Sequence, residues 1–348
     1  MHRILVINPG STSTKIAVYE DSKQIFESDI RHTPEQLAQF QGVWDQEPFR
    51  LQVVIDELNK HNIPMQLDAV VGRGDLSHPV QSGTYEVTDD MIAAARNAHH
   101  VHACDIGGAL ARDIAGRVMP CRAFITDPGT VDELAPEAHI CGFPDFDRNP
   151  IWHALNQKAI ARRYAKEQGT RYEDLRLIVC HLGGGISIAA HDHGRAIDAN
   201  NALDGEGPFS PERSGSLPVG ALVHLCFSGK MTEKEIMNRI AGDGGMKAFL
   251  GTNDMREVEQ RIADGDKKAK LIADAMIWHT AKWIAAEGAV LCGNVDAILI
   301  TGGMAHSKYI IDGLKKRISF LAPVNVYPGQ DEMLAMAQNA LRELETKE

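Results

Sequence analysis

The sequence predicts an α/β fold of two similar domains, each opening with a β-hairpin, and three observations carry that prediction. The run from Ile4 to Ile25, ILVINPGSTSTKIAVYEDSKQI, and the run from Leu177 to Ile197, LIVCHLGGGISIAAHDHGRAI, share one order: strand, small-residue turn, strand, Asp-containing turn, strand. A duplication separated by about half the chain points to two like domains with a cleft between them. A chain of 348 residues also exceeds the size at which one core usually stays undivided. The rest of the text alternates strand-like and helix-like segments.

In chain order, β-branched and apolar runs bounded by Gly, Pro or Asp predict strands at 3–8, 15–19, 24–30, 67–71, 122–126, 176–181, 186–190, 196–199 and 296–301. Asn149 followed by Pro150 reads as an N-cap and first helical residue leading into IWHALNQKAIARRYAKEQ. Ile272, Met276, His279, Trp283, Ala286 and Val290 recur at spacings of four and three, which predicts a helix with those residues on its packed face. Residues 331–344 read as a last helix with acidic residues at its start, where the macrodipole favours them. No linker-like composition interrupts the chain, so the change of domain is placed in the loop-rich stretch 129–149, giving domains of 1–140 and 141–330.

Composition narrows the function classes. The chain is 44% hydrophobic and 24% charged, as soluble globular proteins are. No apolar run approaches the roughly 20 residues needed to cross a bilayer, and Met1-His2-Arg3 leads straight into a strand without a signal-like apolar segment. A cytoplasmic protein without a membrane partner is expected. The six cysteines are scattered with no C-x-x-C pair, which favours free, buried thiols over disulfides or zinc. A formal net charge of −11 argues against a nucleic-acid partner.

The candidate chemistry lies mainly in loops. Glycine-rich and hydroxyl-rich turns let backbone N–H groups approach an anion, so the two hairpin tips are candidate phosphate loops; ordinary glycine hairpins are the alternative. In the first, alternation points Ser11, Ser13 and Lys15 to one face beside Asn8, although Lys15 also reads as a solvated strand lysine. In the second, His181 precedes Gly183, Gly184 and Gly185. Gly302 and Gly303 end a strand where a purine or ribose could pack on backbone. Arg73 and Arg213 sit in strand-end loops and are candidate carboxylate or phosphate clamps, or surface ion pairs. Asp127 ends the strand RAFIT, Glu332 starts the last helix, and His153 lies behind Trp152 in a predicted first helical turn; structural roles compete for each. The triplet Arg73-Gly74-Asp75 is discounted as an adhesion motif, and His99, His100, His102 and Cys104 are too tightly spaced for a convincing zinc site.

Taken together, NPGSTSTK, VGRGDL, GTYEVT, TDPGTVDEL, HALNQKAIAR, HLGGGIS, FSPERSGSLP, GDGGMKAFLGTNDMREVE, TGGMAHS and GQDEMLAMAQNAL resemble the butyrate kinase branch of the acetate kinase family over the whole chain. The resemblance implies the actin-like superfold shared with sugar kinases and heat-shock ATPases. In that fold two ribonuclease-H-like domains, each on a five-stranded mixed sheet, hold nucleotide in the cleft between them, and helix 331–348 returns to the first domain. It implies ATP-dependent phosphorylation of butyrate, direct and in line, with ADP and Mg²⁺. Asn8, Asp127 and Glu332 would serve the metal. Arg73, Arg213 and His153 would serve the carboxylate and the transferring phosphoryl group. His181 and Gly183 to Gly185 match the second phosphate loop, and Asp254, Arg256, Gly302 and Gly303 match nucleoside-binding positions. Family members commonly form dimers or larger assemblies.

Three positions depart from acetate kinases: Gly184 replaces Asn, Gly74 and Asp75 occupy the neighbourhood of a bulkier valine, and Trp152 replaces Phe before the catalytic histidine. The lost bulk points to a longer acyl chain and the larger ring points the other way. One methylene is worth only about 1–3 kcal/mol of discrimination, so acetate, propionate and branched acids stay open as substrates. From another class, a nucleotide-driven regulatory protein on the same superfold is the alternative; Arg73, Arg213 and His153 speak against it.

Overall fold

The computed structural model describes residues 1–74, 78–98, 102–329 and 331–346. The chain forms two compact units, Met1–Asp132 with Asp331–Glu348, and Glu133–Gln330. Asp75 of the Arg-Gly-Asp triplet, and His99 and His100 of the histidine cluster, lie outside the described residues. His102 caps a short 3-10 turn, accepting from the Cys104 N–H.

The first unit carries strands β1 (Arg3–Pro9), β2 (Ser13–Glu20), β3 (Lys23–Arg31), β4 (Ala69–Arg73), β5 (Thr84–Glu86) and β6 (Arg122–Thr126) in the order β3-β2-β1-β4-β6-β5. The β1–β2–β3 meander is antiparallel, whereas β1–β4 and β4–β6 are parallel. Alternation along β1, β2 and β4 sends Leu5, Ile7, Ile16, Val18 and Val70 into one core with the helices Glu47–Lys60 and Gly107–Ala115. The opposite face is covered by the helix Glu332–Glu345, which packs on β1, β4 and β6.

The second unit repeats the plan. Strands β7 (Arg176–Leu182), β8 (Ile186–Asp192), β9 (Arg195–Ala199), β10 (Ala297–Gly302) and β11 (Val324–Pro328) run β11-β10-β7-β8-β9. Again a three-stranded antiparallel meander is followed by parallel neighbours, β7–β10 and β10–β11. The helices Lys267–Val290 and Lys308–Ile318 share a core with Ile178, Ile188 and Ile300 on one face. Ile160, Ala161 and Tyr164 of the helix Ala154–Glu167 pack with Leu177, Val179 and Leu299 on the other.

Several expectations need correction. The first sheet has six strands rather than five, because three-residue β5 pairs with β6, and neither it nor half-buried β11 was predicted. β4 runs two residues later than expected, which makes Arg73 its last residue. The helix expected at Asn149-Pro150 starts at Ala154. Tertiary bonds explain the shift: the carbonyls of Asn149 and Ile151 accept from Asn201 Nδ2 and the Ala202 N–H. The buried face of Lys267–Val290 runs through Ile272, Met276, Thr280, Ile284 and Glu287. His279 is therefore exposed, with its ring 5.6 Å from Phe209, rather than packed in the core. Of the six free cysteines, Cys104 and Cys180 are buried, while Cys226 and Cys292 are exposed.

One backbone crossing fixes the end of β4. A Cβ on Gly72 would lie 2.0 Å from the Gly107 carbonyl oxygen, and a Cβ on Gly107 would lie 2.3 Å from the Arg73 carbonyl oxygen. Only two glycines let strand and helix start touch here. Gly72→Ala is expected to cost more than about 3 kcal/mol, because the obstacle is backbone that cannot step aside. A urea denaturation midpoint within experimental error of the wild type would contradict this.

Candidate functional site

In the first unit the predicted residues converge on the carboxylate of Glu332, the first residue of the last helix and only 2% exposed. Its Oε2 accepts from Arg73 Nη1 at 2.7 Å and from Asn8 Nδ2 at 3.1 Å. Burial, the largest influence, opposes the charge of Arg73, but Glu332 and Cys104 together outweigh it and hold the guanidinium above its ordinary pKa. Glu332 Oε1 is buried with no hydrogen-bond partner. An orphaned carboxylate oxygen beside an asparagine amide is a hard-oxygen donor set of the kind a small divalent cation takes.

Asp127 belongs to a neighbouring cluster. It directly follows β6 in a left-handed backbone conformation, φ 39°. Its Oδ1 accepts from Ser82 Oγ at 2.6 Å and from the Gly83 N–H at 3.0 Å, and its Oδ2 accepts from Asn339 Nδ2 at 3.3 Å. Asn339 lies seven residues beyond Glu332 in the same helix, so both project to one face about 10 Å apart along the axis. The last helix therefore arranges both carboxylates.

The first loop is held by a residue the sequence reading missed. Arg50 is fully buried, and its Nη1 donates to the Ser13 carbonyl at 2.9 Å and to Thr14 Oγ1 at 3.0 Å. Burial pushes its pKa down to about 10. Arg50 sits in a helix 37 residues away from the loop, and nothing in its own neighbourhood of the sequence signals the contact. Ser11 is exposed at the tip and Ser13 is half-buried. Lys15 pairs with Glu27 at 2.9 Å, with both side chains over a third exposed, which is the surface alternative weighed for it above.

In the second unit His153 is the N-cap of Ala154–Glu167, not a residue of its first turn. Its ring stacks on His181 at a centroid distance of 3.8 Å and an interplanar angle of 10°. His181, buried in β7, has Nδ1 2.7 Å from Asn156 Oδ1. The three glycines that follow each admit a side chain of the protein itself. A Cβ on Gly183 would lie 2.9 Å from His181 Nε2, one on Gly184 3.0 Å from Glu212 Oε2, and one on Gly185 2.2 Å from Arg213 Nη1. Arg213 is thus laid against the loop, where its Nη1 donates to the Ala202 carbonyl at 2.7 Å. Burial lowers its pKa, with Glu212 and Asp204 working against that. Trp152 is buried and meets His191 edge-on at 5.8 Å.

The remaining candidates also belong to the second unit. Gly302 has φ 93°, and a Cβ there would strike the Leu182 carbonyl at 2.4 Å, while Gly303 faces open space. A 3-10 turn, Gly303–His306, separates them from the helix Lys308–Ile318. Asp254 caps the helix Met255–Ala263 and binds Arg256 Nη2 at 2.6 Å, which holds its carboxyl down to about 2. Glu259 of that helix accepts from Ser307 Oγ, which ties the capped helix to the end of the Gly303 turn.

Each unit thus gathers one guanidinium with backbone or side-chain donors, suited to binding anionic oxygens. The acetokinase family model matches residues 148–321. A probable butyrate kinase of Bacteroides thetaiotaomicron is 57% identical over 97% of this chain and 96% of its own length. Butyrate kinase 1 of Clostridium acetobutylicum is 49% identical over 100% of this chain and 98% of its own. The crystal structure of Porphyromonas gingivalis acetate kinase has the same fold, with a TM-score of 0.81 at 19% identity over 99% of this chain and 100% of that one.

Proposed function

We infer that this chain, which belongs to the acetokinase family, transfers a phosphoryl group reversibly between ATP and butyrate, giving ADP and butanoyl phosphate. Near-full-length identity to proteins named butyrate kinase carries this reading, and the gathered cations give it a physical basis. A carboxylate is already ionised at neutral pH, so the reaction needs no strong general base. The obstacle is bringing two anions together in line. Arg73 would hold the acid's carboxylate, Arg213 and His153 the equatorial oxygens of the transferring phosphoryl, and the backbone of Gly183 to Gly185, with Ser11 and Ser13, the nucleotide phosphates. Gly302, Gly303, Asp254 and Arg256 would hold the nucleoside.

Mg²⁺ fits Glu332 Oε1 with Asn8, and Asp127 behind them. Among the described residues no cluster of three or more His, Cys, Asp or Glu could hold a metal, which accords with an ion that takes one or two carboxylates and completes its shell with water and phosphate oxygens. When bound it would neutralise charge on the transferring phosphates. The free cysteines suit a reducing, cytoplasmic setting, and no helix among the described residues is long and apolar enough to cross a membrane.

We also propose a homodimer or larger assembly through the helix Val219–Cys226, which has no buried residue and ends beside Phe227, 88% exposed. Val223→Glu with Phe227→Glu is expected to lower the mass measured by light scattering, to one half where the assembly is a dimer. A wild type already at the mass of one chain would overturn it.

Acyl hydroxamate formation with ATP and hydroxylamine tests the reaction across acetate, propionate, butyrate, isobutyrate and valerate. kcat/KM is expected to peak at butyrate; a peak at another acid reassigns the substrate. No product with any acid, despite tight ATP binding, refutes the reaction. Gly185→Ala separates clamp from fold. Its Cβ displaces only the end of the Arg213 side chain, so the melting temperature should hold while kcat/KM falls about 10²- to 10³-fold, as when one preorganised donor is lost. Retention of full activity would show that Arg213 is not needed where it lies.

A further inference from the structure

A file of buried polar groups crosses the second unit and ends on His153. Gln157 sets its polarity. The Gln157 Nε2 lies 3.2 Å from the Ser187 carbonyl oxygen and 2.9 Å from Ser187 Oγ. A carbonyl can only accept, so the NH₂ faces Ser187 and Oε1 faces away. That Oε1 lies 3.1 Å from His191 Nε2, which must therefore carry a proton and donate it. His191 is fully buried, and burial, reinforced by Lys158 and Arg162, holds its pKa well below the ordinary imidazole value. The ring is neutral, and its Nδ1 accepts from the Tyr172 hydroxyl at 2.5 Å.

On the other side, Ser187 Oγ accepts from Gln157 Nε2 and, at 3.3 Å, from the His153 backbone N–H. Those two bonds use both of its lone pairs. Its single proton has His153 Nδ1 at 2.8 Å. We propose that Ser187 donates to His153 Nδ1 and fixes His153 as the neutral tautomer with its proton on Nε2, and that Ser187 and Gln157, backed by His191 and Tyr172, are positioning residues for phosphoryl transfer. Every bond then runs one way, from Tyr172 through His191, Gln157 and Ser187 to His153. A proton on His153 Nδ1 would instead give Ser187 Oγ three donors for two lone pairs and leave its own hydrogen unused. The parallel stack on His181 holds the ring in the plane that this geometry requires.

The inference rests on the reading of His153 as a group that faces the transferring phosphoryl. On that reading, Nε2–H is a neutral, preset hydrogen-bond donor to an equatorial oxygen, and no proton changes hands during transfer. The arrangement is the same in kind as a catalytic imidazole whose tautomer is fixed by the group behind it.

Nitrogen-15 NMR of the full-length protein labelled on histidine rings tests this without turnover, with His153→Gln supplying the assignment. The wild-type His153 is expected to show a protonated, pyrrole-like Nε2 and a pyridine-like Nδ1 at neutral pH. Ser187→Ala should give mixed tautomers and a fall in kcat of at least about tenfold with KM for ATP little changed. Ser187→Thr, which keeps the hydroxyl, should restore both. A wild-type ring protonated on Nδ1 or on both nitrogens overturns the proposal, as does an unchanged tautomer in Ser187→Ala. If Ser187→Ala does not fold, the wild-type spectrum decides. Since that spectrum needs no substrate, its failure is distinct from failure of the proposed reaction.

Discussion

Within the first unit, the candidate residues at the ends of β1 and β4 are organised around one buried carboxylate. Glu332 sits at the start of a helix, where the macrodipole favours a negative charge, but the dipole alone would not justify removing it from water. Arg73 and Asn8 supply the compensation, and they come from the ends of the parallel strands β4 and β1. The last helix is therefore tied to the sheet by a charge that cannot be stripped of its partner cheaply, since removing Arg73 leaves Glu332 buried and without its cation. The Gly72–Gly107 crossing serves the same end by setting where β4 stops, and hence where Arg73 projects. Asn339, on the same helix face, extends the arrangement to Asp127.

The second unit solves a similar problem by other means. Half-buried Arg213 has no direct carboxylate bond among the described residues and is held by a carbonyl and by space that Gly185 leaves open. Its charge is thus less fully neutralised than that of Arg73, and burial already works against it. A cation in that condition gains most when an anion arrives, which is the behaviour expected of a group that stabilises charge in a transition state rather than one that stabilises the fold. On the proposal above, His153 beside the glycine loop adds one neutral donor, oriented by the buried Ser187.

The sequence made the two hairpins legible because a repeated grammar of strand and small-residue turn is local. The sheet orders extend that repeat, with β10 standing to β7 as β4 stands to β1. Parts that depend on distant partners were not legible. The Asn149-Pro150 signal is a sound local helix start, but Asn201 and Ala202 claim the backbone first. β5 and β11 are short or half-buried, so their alternation is weak. Arg50 reads as one more helix arginine until the fold brings the Ser13 carbonyl to it. His153 was singled out, but the groups that orient it lie on a strand, its own helix and a 3-10 turn, with no motif to connect them. Asn339 was readable in principle, as a polar residue at helical spacing from Glu332 on an otherwise apolar face.

The central claim is that fixed positive groups and donors bring two anions together for a single direct transfer, with no side chain acting as nucleophile. The most direct test is the stereochemical course at phosphorus, using ATP made chiral at the γ-position with oxygen isotopes and butyrate as acceptor. One in-line displacement inverts the configuration in butanoyl phosphate, and inversion is the predicted result. Retention would require an even number of displacements, and with it a phosphorylated side chain, which would contradict the claim.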